Sequence, residues 1–182
     1  EVGDTSVLGW QLMALQSARS AGLEVPLETW ELANLYLDAV QSNDGSRYAY
    51  QPNRQPTHVM TAEALLCRMY LGWNQDFAPL QEGVRYLSSE HLPKARKPNF
   101  YYWYYATQVM HHNGGKAWRR WNLAMRDLLV VTQVKKGHEA GSWDPASGHA
   151  HQGGRIYSTA LAVCTLEVYY RHAPIFRQLE LQ

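Results

Sequence analysis

Cysteine is scarce in this chain: Cys67 and Cys164 are the only two in 182 residues. Neither belongs to a CxxC pair, and a chain of this length with two thiols is not a disulfide scaffold. Each lies within an apolar helical pattern, the setting of a buried free thiol. An excess of charge of one sign is also missing. Lys and Arg number 17 against 16 Asp and Glu, a net charge of +1 at pH 7, which leaves no electrostatic footprint for nucleic acid. The short basic runs at Lys94–Lys97 and at Lys116, Arg119 and Arg120 read as solvated faces. No apolar stretch approaches the roughly 18 residues needed to span a bilayer. The chain opens on Glu1, not Met, so an upstream segment could have been removed, and the compartment stays open.

What is present is the composition of an ordered globular chain, 46% hydrophobic and 18% charged, long enough to bury a substantial core. Apolar residues recur at helical spacing along most of it, and no segment alternates with period two. The spacing predicts seven helices, near 5–21, 27–41, 57–71, 79–89, 99–113, 115–133 and 155–172. Their stops are chemically sensible. Gly22 follows the first, and Pro26 stands just ahead of the second, where its missing N–H costs nothing. Gly72 closes the third, Pro79 opens the fourth, and Gly114-Gly115 separates the fifth from the sixth.

The odd-numbered helices align with one another. A shift of 50 residues carries Ala14-Leu15 to Ala64-Leu65 and Gly22 to Gly72. A further 42 carries Ala64 to Ala106 and Gly72 to Gly114, and a further 54 carries Ala106 to Ala160. Two helices per unit at such a period mark a repeat architecture, either an open solenoid or a closed ring.

Two of the helix ends are also alike. Tyr36-Leu37-Asp38-Ala39-Val40-Gln41 is followed by a turn containing Gly45 and by Tyr48. Leu128-Leu129-Val130-Val131-Thr132-Gln133 is followed by a polar run, Gly141 and Trp143. A helix-end glutamine, a glycine turn and an aromatic entering the next segment resemble the QW repeat of terpene cyclases and protein prenyltransferase β subunits. The resemblance implies an all-α fold of repeated helical hairpins forming an α/α toroid, or an arc of one. It makes helices 1, 3, 5 and 7 the inner, more buried layer and 2, 4 and 6 the outer layer. The charge-rich sixth helix agrees with that order. The expected organisation is a single domain over residues 1–182; because a complete ring of that family has more hairpins, it is expected to be either part of a longer chain or a small, incomplete toroid.

The catalytic motifs of that family are incomplete. The cyclase acid cluster, Asp-x-Asp-Asp-Thr, has its nearest match in Glu1-Val2-Gly3-Asp4-Thr5, with Gly3 where another aspartate belongs. Asp4 is therefore either the candidate catalytic acid, with Glu1 as the neighbour that raises its pKa, or the cap of the first helix. The prenyltransferase zinc triad has a cysteine counterpart in Cys164, but Ala162 stands where its aspartate should be, so no zinc site is expected there, and no cofactor is expected of the chain. Thioester and lanthionine-cyclase toroids fail on their cysteine motifs.

The densest polar constellation is His138, Glu139, Asp144, His149 and His151, suited either to a divalent metal or acid–base work or to hydrogen bonds with nearby backbone; His149 and His151 are the candidate acid–base groups. Arg155, beside Gly153-Gly154, is expected at a helix N-terminus facing the central opening, suited to a diphosphate. Tyr101, Trp103 and Tyr104 within the aromatic run 100–105, with Trp10, His58 and Tyr157 near equivalent helix starts, are candidate lining for an isoprenoid or carbocation cavity. The resemblance thus implies an isoprenoid-processing or isoprenoid-binding domain. The alternative is a non-catalytic interaction or ligand-binding module of the same architecture, whose partner is a small hydrophobic ligand or another protein.

Overall fold

The computed structural model describes residues 3–145 and 149–171. Among them lie eight α-helices: α1 (Thr5–Ser20), α2 (Leu27–Val40), α3 (His58–Tyr70), α4 (Ala78–Glu90), α5 (Phe100–Asn113), α6 (Gly115–Thr132), α7 (His149–Leu166) and α8 (Val168–Arg171). A two-stranded antiparallel ribbon, β1 (Gln41–Ser42) with β2 (Arg47–Tyr48), interrupts the helices. The all-α expectation holds, and the first six helices start and stop within one residue of the spacing argument. None of the described helices is long and apolar enough to cross a membrane.

Local chemistry explains the starts. Asp4, Thr57 and Asn99 cap α1, α3 and α5, their side-chain oxygens accepting the N–H of Val7, Met60 and Tyr102 respectively, which satisfies a donor the first turn leaves without an intrahelical partner. Gly114 ends α5 and begins α6 with φ 72°, a conformation glycine adopts without steric cost.

The chain divides into two compact units, Glu1–Arg85 and Tyr86–Gln182. In the first, α3 is the core element, buried at every residue from Met60 to Tyr70. The α1 helix lies against α3 and α2 against α1. Thr5 ties the start of α1 to the segment after β2, its hydroxyl donating to Ala49 O (2.7 Å) and its N–H to Tyr50 O (3.0 Å). In the second unit, α5 is the core element and is buried except at Tyr101 and His111. It packs against α6 and α7. The α6 helix turns Trp121, Met125 and Leu129 inwards at four-residue spacing, the stripe of an amphipathic helix. The Trp121 indole N–H donates to Thr107 Oγ1 at 2.8 Å.

The expectation that every odd helix is the more buried one needs correction. It holds for α3 and α5 only. In α1, Thr5, Gly9 and Leu12 alone are buried, and in α7 Ile156 is 86% exposed. Each of these two helices is covered along one face. Low charge reports only that a helix avoids solvating groups; whether neighbours cover both its faces is a tertiary fact. The start of α7 is also earlier than expected. His149–Gly153 already form a helical turn, and Gly154, at φ 70° and ψ −166°, is a kink within the helix and not its beginning.

The two similar helix ends fold differently. Gln133 donates from Nε2 to Gly141 O (2.9 Å), and the buried Trp143 donates its indole N–H to Leu129 O (2.9 Å), covering the end of α6. Gln41 does not bond its own turn in this way and accepts from Arg68 Nη2 at 3.3 Å. The basic side chain at position 68 supplies a stronger donor than any backbone amide there. Gln133→Ala should lower the stability of the protein by about 1 kcal/mol, read by urea unfolding; an unchanged midpoint would mean that water replaces this bond at no cost.

Candidate functional site

The candidate residues of the first unit are Asp4, Trp10 and His58. Asp4 borders an apolar groove of about 390 Å³ between α1 and α2, lined by Val7, Leu8, Leu12, Leu15, Leu32 and Ala33, with Gly3 and Tyr36 beside Asp4. Its Oδ1 accepts the N–H of Val7 at 2.9 Å and the hydroxyl of Ser6 at 2.5 Å. Partial burial works to raise its pKa, but hydrogen bonds from Ser6, Val7 and Tyr50 outweigh this and hold it below 3.8. An acid that starts a cyclisation must stay protonated; Asp4 has the opposite bias and serves as an ionised helix cap. Glu1, its proposed acidic neighbour, lies outside the described residues. Trp10 is 46% exposed on α1, and His58 is the first residue of α3, part-buried.

Asp4→Ala should cost about 1 kcal/mol at neutral pH. Because the folded-state pKa is depressed, that contribution is complete above the unfolded value of 3.8 and fades as the pH falls through the lower folded value. Unfolding of the wild type and the variant at pH 7 and pH 2.5 checks this. A difference that persisted undiminished at pH 2.5 would show that the charge plays no part.

The other candidates belong to the second unit. The aromatic run of α5 is mostly core. Trp103 and Tyr104 are 3% and 5% exposed, and Tyr101 is part-buried with its ring 5.0 Å from that of Tyr105. Phe100 meets Trp103 edge-on at 5.1 Å, Tyr104 meets Tyr105 at 5.2 Å, and Tyr102 meets Trp121 at 5.8 Å. Six successive aromatics point all round a helix, and here five of the six are enclosed by protein. One end of the run is open to a pocket. Phe100 and Trp103, with Ala95, Pro98, Thr132, Trp143 and Asp144, line a pocket of about 290 Å³. Tyr157 is part-buried in α7, burial pushing its pKa up, and the base of its ring occupies the space a Cβ on Gly153 would need.

Arg155, expected after two glycines to receive an anion, is engaged by carboxylates of its own unit. Its Nη2 contacts Asp144 Oδ1 and lies 3.0 Å from Glu139 Oε2, while Nη1 donates to Ser142 Oγ at 3.1 Å. Two carboxylates on one guanidinium leave this corner net negative, and a diphosphate would have to displace them. His151 is exposed, and His149 opens α7 with its side chain outside the described residues. Among the described residues, no three His, Cys, Asp or Glu side chains are grouped to hold a metal. Cys67 is buried, and burial raises its pKa well above the ordinary value, the nearby Glu63 adding to the effect. Cys164 lies 3.1 Å from Arg171 Nη1.

Sequence reasoning passed over a heavily bonded side chain of the first unit. Arg68, 2% exposed, donates from Nε to Tyr48 Oη (3.0 Å) and from its two Nη atoms to Asn34, Asp38 and Gln41. Its guanidinium also lies over the rings of Trp73 (4.8 Å) and Tyr48 (5.7 Å). The signal was available: Arg68 interrupts the apolar stretch from Ala64 to Tyr70, and a charge in such a stretch must find partners. A comparison of the chain with protein-family models, curated proteins and solved structures finds no match.

Proposed function

We propose that this chain is a non-catalytic, ligand-binding helical-hairpin module, related in architecture to the toroids of terpene cyclases and prenyltransferases. Its ligand is an isoprenoid-like apolar chain. The observation that carries the non-catalytic part is the use of the candidate chemical groups for structure. Asp4 is an ionised cap, and Arg155 is neutralised by Glu139 and Asp144. The apolar groove between α1 and α2 supports the ligand class, since it exposes Val7 (50%) and Leu32 (58%) beside buried Leu12 and Ala33. Val7 and Leu32 are each already about half buried, so covering the rest with an alkyl chain is worth about 1 kcal/mol per side chain.

The experiment is a titration with farnesol, alongside incubation with farnesyl diphosphate or squalene and analysis for new products. Saturable farnesol binding, weakened about ten-fold by Leu32→Asp, with both substrates returned unchanged, is the expected result. Turnover of either substrate would overturn the non-catalytic part, and absence of farnesol binding would overturn the ligand class.

An isoprenoid-processing arc of a larger toroid is the rival, and it shares with the first reading the repeat architecture that one observation supports. The helices α1, α3 and α5 share a side-chain N-cap at Asp4, Thr57 and Asn99 and a positive-φ glycine at or just past their ends, Gly22, Gly72 and Gly114. Start and stop chemistry repeated at the sequence period is what hairpin repeats require.

A further inference from the structure

We infer that the pocket at the start of α5 is a binding site for a methylated ammonium group. Its walls include Phe100, Trp103 and Trp143, with the Asp144 carboxylate beside them. An aromatic ring presents a negative face, and several rings around a small space favour a desolvated organic cation. The carboxylate adds the opposite charge. Asp144 and Glu139 together carry two negative charges against the one positive charge of Arg155. The Asp144 side chain is 67% exposed, and a carboxylate has acceptor capacity beyond its contact with one guanidinium.

The lining also selects among cations. The Trp143 indole N–H is already donated to Leu129 O, and the Thr132 hydroxyl to Leu128 O at 2.8 Å. A primary amine would bring three donors to a wall that is mostly ring and methylene, leaving some of them unmatched. A trimethylammonium group brings charge and methyl surface and needs no hydrogen bonds. The volume of about 290 Å³ accommodates such a head. The basic residues Lys94, Arg96 and Lys97 flank Ala95 but are not part of the lining. They are solvent-facing charges, whose effect salt screens over about 8 Å at physiological ionic strength.

The test compares choline with its neutral isostere 3,3-dimethyl-1-butanol on the unmodified protein, by calorimetry and tryptophan fluorescence. Choline should bind at least several-fold more tightly, the gain expected of a cation–π site whose carboxylate side faces solvent. Asp144→Asn should weaken choline several-fold and leave the isostere unaffected. Equal affinities, no binding of choline, or an Asp144→Asn variant that binds choline like the wild type would each overturn the assignment. Should the variant unfold, the comparison of the two ligands on the unmodified protein decides. The pocket lies in the other unit from the α1–α2 groove, so failure here leaves farnesol binding untouched and the reverse.

Discussion

Replacing Arg68 by methionine should lower the stability of the protein by about 2–3 kcal/mol in urea unfolding. Methionine roughly fills the aliphatic volume, so the loss is not a cavity effect. Nor is it chiefly the ion pair with Asp38, whose side chain is 53% exposed and is resolvated when the partner goes. The penalty comes from the Tyr48 hydroxyl, which belongs to a fully buried residue and loses its donor at 3.0 Å, and from the lost stacking on Trp73 and Tyr48. A double variant, Arg68→Met with Tyr48→Phe, should therefore recover about 1 kcal/mol of the loss. The network also sets an alkaline limit. Burial pushes the Tyr48 pKa from 10 up to about 12, against the opposing pull of Arg68. Its contribution is complete below pH 10 and is lost as the pH rises through the folded value, and Tyr48→Phe should remove that part of the pH dependence. A stability within about 0.5 kcal/mol of the wild type in Arg68→Met would show that the network is an accessory.

The second large effect is expected at Gly9. In a helix interior, Gly→Ala ordinarily stabilises by about 0.5–1 kcal/mol. Here the sign reverses. A Cβ on Gly9 would stand 2.1 Å from Glu63 Oε1, 2.7 Å from its Cγ and 2.8 Å from its Cδ, and Glu63 is 0% exposed. The clash reaches Cγ as well as the carboxylate, so relief needs a new rotamer for a fully buried glutamate or a shift of α1 away from α3. Gly9→Ala should destabilise by about 2–3 kcal/mol. The double variant Gly9→Ala with Glu63→Ala should lose less than the sum of the two single losses, because shortening position 63 opens the space. Strict additivity would mean that the two helices meet elsewhere and that the contact at Gly9 is incidental.

The sites were less legible than the helices, for reasons visible in single residues. Asp4 followed by Thr5 is compatible both with an acid motif and with a helix cap, and only the Ser6, Val7 and Tyr50 contacts separate the two. Arg155 after Gly153-Gly154 suggested an anion site, because the sequence does not say that Glu139, Asp144 and Ser142 fold back onto it. The run 100–105 advertised aromatic surface, but its burial depends on what α6 and α7 bring against α5. The pocket joining Phe100 and Trp103 to Trp143 and Asp144 draws on residues some 40 apart, beyond the reach of any local pattern.

The sequence alone determined the helical class, six helices to within a residue, and their punctuation by Gly22, Gly72 and Gly114. These follow from periodicity, capping and backbone freedom, all of which act over a few neighbouring residues. Tertiary structure decided which helices are covered on every side, that Gln41 serves Arg68 while Gln133 serves its own turn, that Gly154 kinks a helix instead of starting one, and that the candidate acid and arginine are held in structural contacts. Those outcomes depend on the free energy of bringing distant charged and apolar groups together, and no window of sequence contains both partners.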